Sequence, residues 1–216
     1  MPKYVQYGSA YSTGNGWLNF DASPTLRIQK LPIAGKLLAR LSGNPQPFPD
    51  EVLYGDVVKG LPLATGSVDG LYACHVLEHL TLADMRAALT ESLRVLKPGG
   101  VFRLIVPDLK SRAKAYVEAG DDPEAAHAFM RSTYLGVESR GQTISARLRA
   151  AIGNSAHLWM FDFPAMSAEL NRAGFVAIRR AAFGDADDPM FARVELADRF
   201  IADNIVEVAV EARKPS

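Results

Sequence analysis

Residues 54–109 read YGDVVKGLPLATGSVDGLYACHVLEHLTLADMRAALTESLRVLKPGGVFRLIVPDL, and the order of patterns inside them decides the fold class. Gly70–Cys74 and Val101–Val106 are short apolar runs of strand length. Between them, Leu82–Leu96 sets Met85, Ala88, Leu89, Leu93 and Leu96 at i, i+3, i+4 spacing, which puts one apolar stripe on a helix. Lys97-Pro98-Gly99-Gly100 supplies a stop and feeds the next strand. Strand, helix, strand with no hairpin turn between them is a βαβ unit, and its two strands must run parallel.

The same alternation continues outward. Tyr4–Tyr7, Trp17–Phe20 and Val52–Tyr54 precede the unit, and Val176–Ala182 and Ile205–Ala212 follow it. Seven strands with helices between them predict an α/β protein built on a mainly parallel sheet. A helix is expected after Pro107-Asp108 to about Gly120, another from Asp122-Pro123, and a last one over Pro164–Ala173, capped by Gly174. Gly43–Pro49 carries three prolines and reads as a loop; Gly136–Ser155 is basic and polar and reads as a surface insertion or lid. The expected organisation is one domain over residues 1–216, with an insertion at about 110–165 shaping the acceptor side.

Composition excludes several classes. In 216 residues, 48% are hydrophobic and 22% charged, which fits a folded globular chain and not a disordered or collagenous one. The 24 basic and 24 acidic residues cancel with no long basic run, so nucleic acid is not expected as a partner. MPKYVQYGSAYS lacks the apolar stretch of a signal sequence, no apolar run approaches a membrane span, and a cytoplasmic location is expected. The single cysteine, Cys74, excludes an intrachain disulfide and a cysteine-rich zinc cage.

Open parallel sheets bind ligands beyond the carboxyl ends of their strands, so the residues just after each run matter most. Gly8-Ser9-Ala10 follows the first strand, where glycine permits close backbone approach. Residues 8–16 are too few for a full crossover helix, and G-x-G-x-x-G is absent, which disfavours a nicotinamide-dependent reductase. Asp21 ends the second strand, where a carboxylate suits the two hydroxyls of a ribose; a turn or helix cap before Ser23-Pro24 is the plainer reading. Gly55-Asp56-Val57 closes the third strand with another acceptor. His75-Val-Leu-Glu-His79 follows the fourth and also spells H-x-x-E-H, an inverted zinc motif. That motif needs its ligands one helical turn apart, whereas His75 comes straight off a strand, so no metal is expected.

Taken together, the acidic residue before Leu61-Pro62, Ser67-Val-Asp69, His75-Val-Leu-Glu-His79 and Leu96-Lys-Pro-Gly-Gly100 resemble, in order and spacing, the class I S-adenosylmethionine-dependent methyltransferases of the type 11 family. The resemblance implies a Rossmann-like sheet of seven strands whose last strand is antiparallel, and S-adenosyl-L-methionine as cofactor. It implies that Tyr7, Gly8, Ser9 and Ala10 lie beneath the methionine part, Asp21 with Ala22 meets the ribose, and Gly55, Asp56 and Val57 hold the adenine. Cys74 and His75 complete the set on the sulfonium side. Relatives commonly read Gly-Cys-Gly where this chain reads Gly8-Ser9-Ala10, and the extra methyl of Ala10 would weaken cofactor binding.

Methyl transfer needs mostly positioning, with a base when the acceptor is a hydroxyl. His75, His79 and His157 are the candidate catalytic residues, equally readable as packed structural histidines. Trp159, Met160 and Phe161 are expected to wall an acceptor pocket or to join the core. The expected reaction is O-methylation of a small-molecule or saccharide-like acceptor, by a chain that could also form a homodimer. The alternative is a non-catalytic, methyltransferase-like interaction subunit. Arg179-Arg180, Lys110 with Arg112 and Lys114, and Arg140 with Arg147 and Arg149 read as solubilising surface or as anion contacts, and Gly184–Pro189 as a polar turn.

Overall fold

The computed structural model describes residues 3–32, 46–137 and 156–216. Arg140, Arg147 and Arg149, and nearly all of Gly136–Ser155, lie outside the described residues, as does the start of Gly43–Pro49. The elements are β1 (Tyr4–Tyr7), β2 (Trp17–Asp21), α1 (Pro24–Gln29), β3 (Val52–Tyr54), β4 (Val68–Cys74), α2 (Leu82–Val95), β5 (Leu96–Val106), α3 (Leu109–Glu118), α4 (Ala125–Ser132), α5 (Phe163–Ala173), β6 (Val176–Arg180), β7 (Ile201–Ala202), β8 (Ile205–Val206) and β9 (Val208–Arg213).

The main sheet has seven strands in the order β3-β2-β1-β4-β5-β9-β6. β1 pairs in parallel with β2 and β4, β2 with β3, and β4 with β5; β9 is antiparallel to both β5 and β6. The expected antiparallel last strand is therefore present, but shorter than Ile205–Ala212. Ile205–Val206 instead forms a small hairpin with Ile201–Ala202, and Glu207 separates it from β9. The expected stop at Lys97–Gly100 is absorbed into β5, which pairs Leu96 with Val68 and resumes at Val101 after a bulge.

One face of the sheet is covered by helices. Leu71, Ala73, Phe102, Leu104, Val208 and Val210 pack there against Met85, Leu89, Met166 and Leu170 of α2 and α5. Thr81 caps α2 by accepting from the Asp84 amide, Asp162 caps α5 through the Ala165 amide, and Gly174 ends α5 in the left-handed conformation (φ 101°) that favours glycine.

The opposite face has a different cover, for a reason already visible in residues 8–16. Parallel neighbours are normally joined by a crossover helix, and this connection is too short to hold one. The segment between β6 and β7 takes its place: Phe191 and Val194 pack with Trp17, Tyr72 and Ile105. Trp17 Nε1 donates to the Met190 carbonyl at 3.1 Å and Arg193 to the Asn15 carbonyl at 3.2 Å, tying the segment to the first connection.

Candidate functional site

The C-terminal rim of the parallel strands presents two adjoining cavities. The first, of about 140 Å³, is lined by Gly8, Ser9, Ala10 and Cys74. The second, of about 310 Å³, is lined by Glu78, His79, Arg112, Tyr134, His157 and Glu207. His75 and Arg199 border both.

At the first cavity, the turn after β1 is held by its backbone. Gly8 has φ 65°, and a Cβ there would meet Val76 Cγ2 at 2.2 Å, so no other residue fits. The Ser9 amide donates to the Phe20 carbonyl at 3.1 Å, and the Ala10 amide to Asp21 Oδ2 at 3.0 Å. Ala10 itself sits at φ 46°, a left-handed conformation that disfavours any residue with a Cβ. The Ser9 hydroxyl is buried with no hydrogen-bond partner. Tyr7 turns its ring into the helix-covered core and shares a 3.2 Å hydrogen bond with Ser92. Burial pushes the Cys74 thiol up to about 12, which keeps it protonated.

The two strand-tip carboxylates are engaged by nearby backbone. Asp21 accepts from the Ala10 amide and, at 2.7 Å, from the Ser23 amide, as the turn reading expects, and it is not among the residues that line the first cavity. Asp56 accepts from the Val58 amide at 3.0 Å and faces Lys59 Nζ at 3.1 Å. Ala22 is exposed and Val57 is a core residue. Gly55 lies against Phe20, 2.5 Å from where a Cβ would stand. Tyr11 stacks on Phe48 with ring centroids 4.9 Å apart. These residues suit an aminoacyl–nucleoside cofactor at its amino-acid end, where Gly8 gives close approach and Ser9 an unspent hydroxyl. At the nucleoside end the carboxylates already hold amides, and about 140 Å³ is less than the roughly 300 Å³ from which ligand pockets start.

The second cavity gathers the three histidines named from the sequence. His75, at φ 53°, places Nδ1 3.3 Å from Glu78 Oε1 and Nε2 3.1 Å from the Arg199 carbonyl. Burial opposes the imidazolium form, but the charge of Glu78 and the Arg199 carbonyl raise the His75 pKa overall. His79 Nδ1 lies 3.0 Å from the Ala156 carbonyl. His79 and His157 meet edge to face at 5.0 Å, and burial lowers the His157 pKa. The amides of Leu158 and Trp159 donate to the Glu78 carbonyl at 2.7 and 3.2 Å, which is how a residue so distant in sequence reaches this rim.

Several expectations are corrected. Phe161 belongs to the core and Trp159 is exposed, and neither they nor Met160 line the two cavities. Arg112 is no surface cation: it is buried and holds Glu207 through two 2.8 Å hydrogen bonds, because Glu207 stands directly before β9. Asp185 and Asp188 of the polar turn bind Arg103, Arg179 and the Tyr4 hydroxyl. Glu78 and Arg199 were missed as site residues. Glu78 carried a signal in H-x-x-E-H; Arg199 lies in no motif.

Residues 14–104 match the family model described as a methyltransferase domain. An uncharacterised 37.1 kDa protein of transposon TN4556 from Streptomyces fradiae is 31% identical over 128 residues, 59% of this chain. The chain spans only 35% of that protein's length. A solved S-adenosylmethionine-dependent methyltransferase from Archaeoglobus fulgidus is 13% identical and superposes with a TM-score of 0.51, over 99% of this chain and 86% of its own, a likeness of fold. Among the described residues no helix is long and apolar enough to cross a membrane. Residues 14–104 are thus similar to a methyltransferase domain, and the seven-stranded, mainly parallel sheet that contains them has the Rossmann-like methyltransferase fold.

Proposed function

We propose that the chain binds S-adenosyl-L-methionine across the tips of β1, β2 and β3 and transfers its methyl group to a small-molecule or saccharide-like acceptor, at oxygen, in the 310 Å³ cavity. The observation that carries this reading is the β1 turn: a buried, unpartnered Ser9 hydroxyl beside Gly8, closed onto the β2 tip by Asp21. When bound, the cofactor supplies an electrophilic methyl group. The chain orients it through Gly8, Ser9 and Asp21, while Asp56 lies at the adenine end. His75 has both ring nitrogens committed and acts as a positioning cation; the acceptor's proton leaves on the side of His79 and His157.

Calorimetric titration with S-adenosylhomocysteine tests it. The native chain is expected to bind, and Ala10→Gly to bind more tightly, because glycine removes a methyl group at a place of close backbone approach. Absence of heat in both proteins would favour the second reading, a methyltransferase-like interaction subunit. The engagement of Asp21 and Asp56 by backbone amides supports that alternative.

A further inference from the structure

Glu78 is fully buried, yet neither of its carboxylate oxygens accepts a hydrogen bond. The His75 Nδ1 contact at 3.3 Å is an ion pair without hydrogen-bond geometry. A buried carboxylate left in this state is costly unless something else completes its shell. Beside it stand His79 and His157, and ligand atoms of the three residues all lie within 4.8 Å of one another.

The two rings are set in a specific way. His79 Nδ1 meets the Ala156 carbonyl, which fixes the proton there and leaves Nε2 with its lone pair. His157 Nδ1 is buried with no hydrogen-bond partner, a nitrogen left to meet a ligand. His79 thus donates to a main-chain carbonyl through one nitrogen and has the other available, the arrangement that orients metal-binding histidines, and His157 keeps its Nδ1 unspent beside it. Of the nearby cationic groups, Arg112 is paired with Glu207 and His75 with Glu78.

We propose that Glu78, His79 and His157 form a binding site for a divalent cation of the zinc class. Two imidazoles and one carboxylate are a known zinc donor set, and three protein ligands leave a coordination position open for an oxygen donor. That position faces the 310 Å³ cavity, so the molecule bound there carries a hydroxyl or carboxylate. Tetrahedral zinc holds its ligand atoms about 3.4 Å apart, so the trio closes inward by side-chain rotation. The ligand set differs from the one H-x-x-E-H suggests. Leu77–His79 is a 3-10 turn, so His75 and His79 do not share a helical face, and His157 takes the place of His75. A role for the cation in activating an acceptor rests on the methyl-transfer reading; occupancy of the site does not.

The test is zinc binding by the full, untagged chain, read by competition with a chromophoric chelator and by elemental analysis after dialysis. One equivalent is expected, and cobalt(II) in its place should show four-coordinate ligand-field absorption without thiolate charge transfer. Glu78→Gln, which preserves shape, and the double change His79→Ala/His157→Ala should each weaken binding by at least about 100-fold. His127→Asn, at the exposed fourth histidine, should leave it unchanged. Substoichiometric zinc, or equal binding by native and variant chains of matching circular dichroism, overturns the proposal. Zinc binding without cofactor heat would remove methyl transfer and keep the site; cofactor heat without zinc would do the reverse.

Discussion

Two buried charged clusters stand on this sheet, and they are built differently. Arg103, in the middle of β5, donates Nε to Glu195 at 2.7 Å and Nη1 to Glu211 at 2.6 Å. Its Nη2 reaches Asp185 at 2.9 Å and the Ala182 carbonyl at 3.1 Å. Arg179 joins through Glu211 and Asp185. Every nitrogen of the central guanidinium is used inside the protein, under the helix-poor cover of the second face. Glu78 is as deeply buried, but its oxygens receive no hydrogen bond. A cluster that satisfies its central charge holds a fold together, whereas one that leaves lone pairs converging on an open cavity is arranged for something that arrives from outside.

The comparison breaks most visibly at Arg103. Arg103→Met leaves Glu195 and Glu211 buried with less counter-charge, and truncating one partner of a buried pair costs about 3–5 kcal/mol. Urea denaturation should show that loss; a cost below about 1 kcal/mol would mean the network does not organise the second face. Glu78→Gln sharpens the contrast. In the presence of a chelator it removes a buried charge that no hydrogen bond supports and whose ion-pair partner, His75, can release its proton, so stability should change by less than about 1 kcal/mol. In saturating zinc the native chain should gain stability over the variant. A loss comparable to that of Arg103→Met, with chelator present, would make Glu78 a structural hub instead.

The difference between these clusters also marks what the sequence could tell. The βαβ unit over Gly70–Val106 was legible because strand and helix periodicities are local, and the short connection over residues 8–16 foretold that no first crossover helix would form. The cover that replaces that helix was not legible. Phe191 and Val194 reach Trp17 across the whole chain, and nothing near them in sequence marks the three-residue 3-10 turn Phe191–Arg193 as a packing unit. Arg103 sits in an apolar strand and its partners come from three distant segments, so only the folded sheet reveals why a charge belongs there. At the rim, His75, His79 and His157 were identified by type, but their division of labour depends on which carbonyl each ring meets. That is set by Leu158 and Trp159 binding the Glu78 carbonyl, a contact with no sequence pattern. Ala10 was legible as a departure from glycine, and its positive φ shows why glycine suits the place.

A third cluster, on the surface, sets the lower end of the scale. Arg86 of α2 grips Glu169 of α5 through two 2.9 Å hydrogen bonds, and Arg172 also binds Glu169. Chiefly through Arg86, opposed by burial and reinforced by Arg172, the Glu169 carboxyl is lowered from its ordinary 4.5 to about 2. A lowered carboxylate pKa contributes stability that is fully present above the unfolded value and is lost as pH falls from 4.5 towards 2. Because Arg86 is largely solvent-exposed, water screens the pair and Glu169→Gln should cost only about 0.5–1 kcal/mol at neutral pH. The native and variant stability curves should draw together as the pH falls through about 2, below which the carboxyl is protonated in both states. A gap that persists there would show that Glu169 acts through packing of α2 on α5; a gap at neutral pH as large as that of Arg103→Met would remove the distinction between surface and buried networks on which the comparison turns.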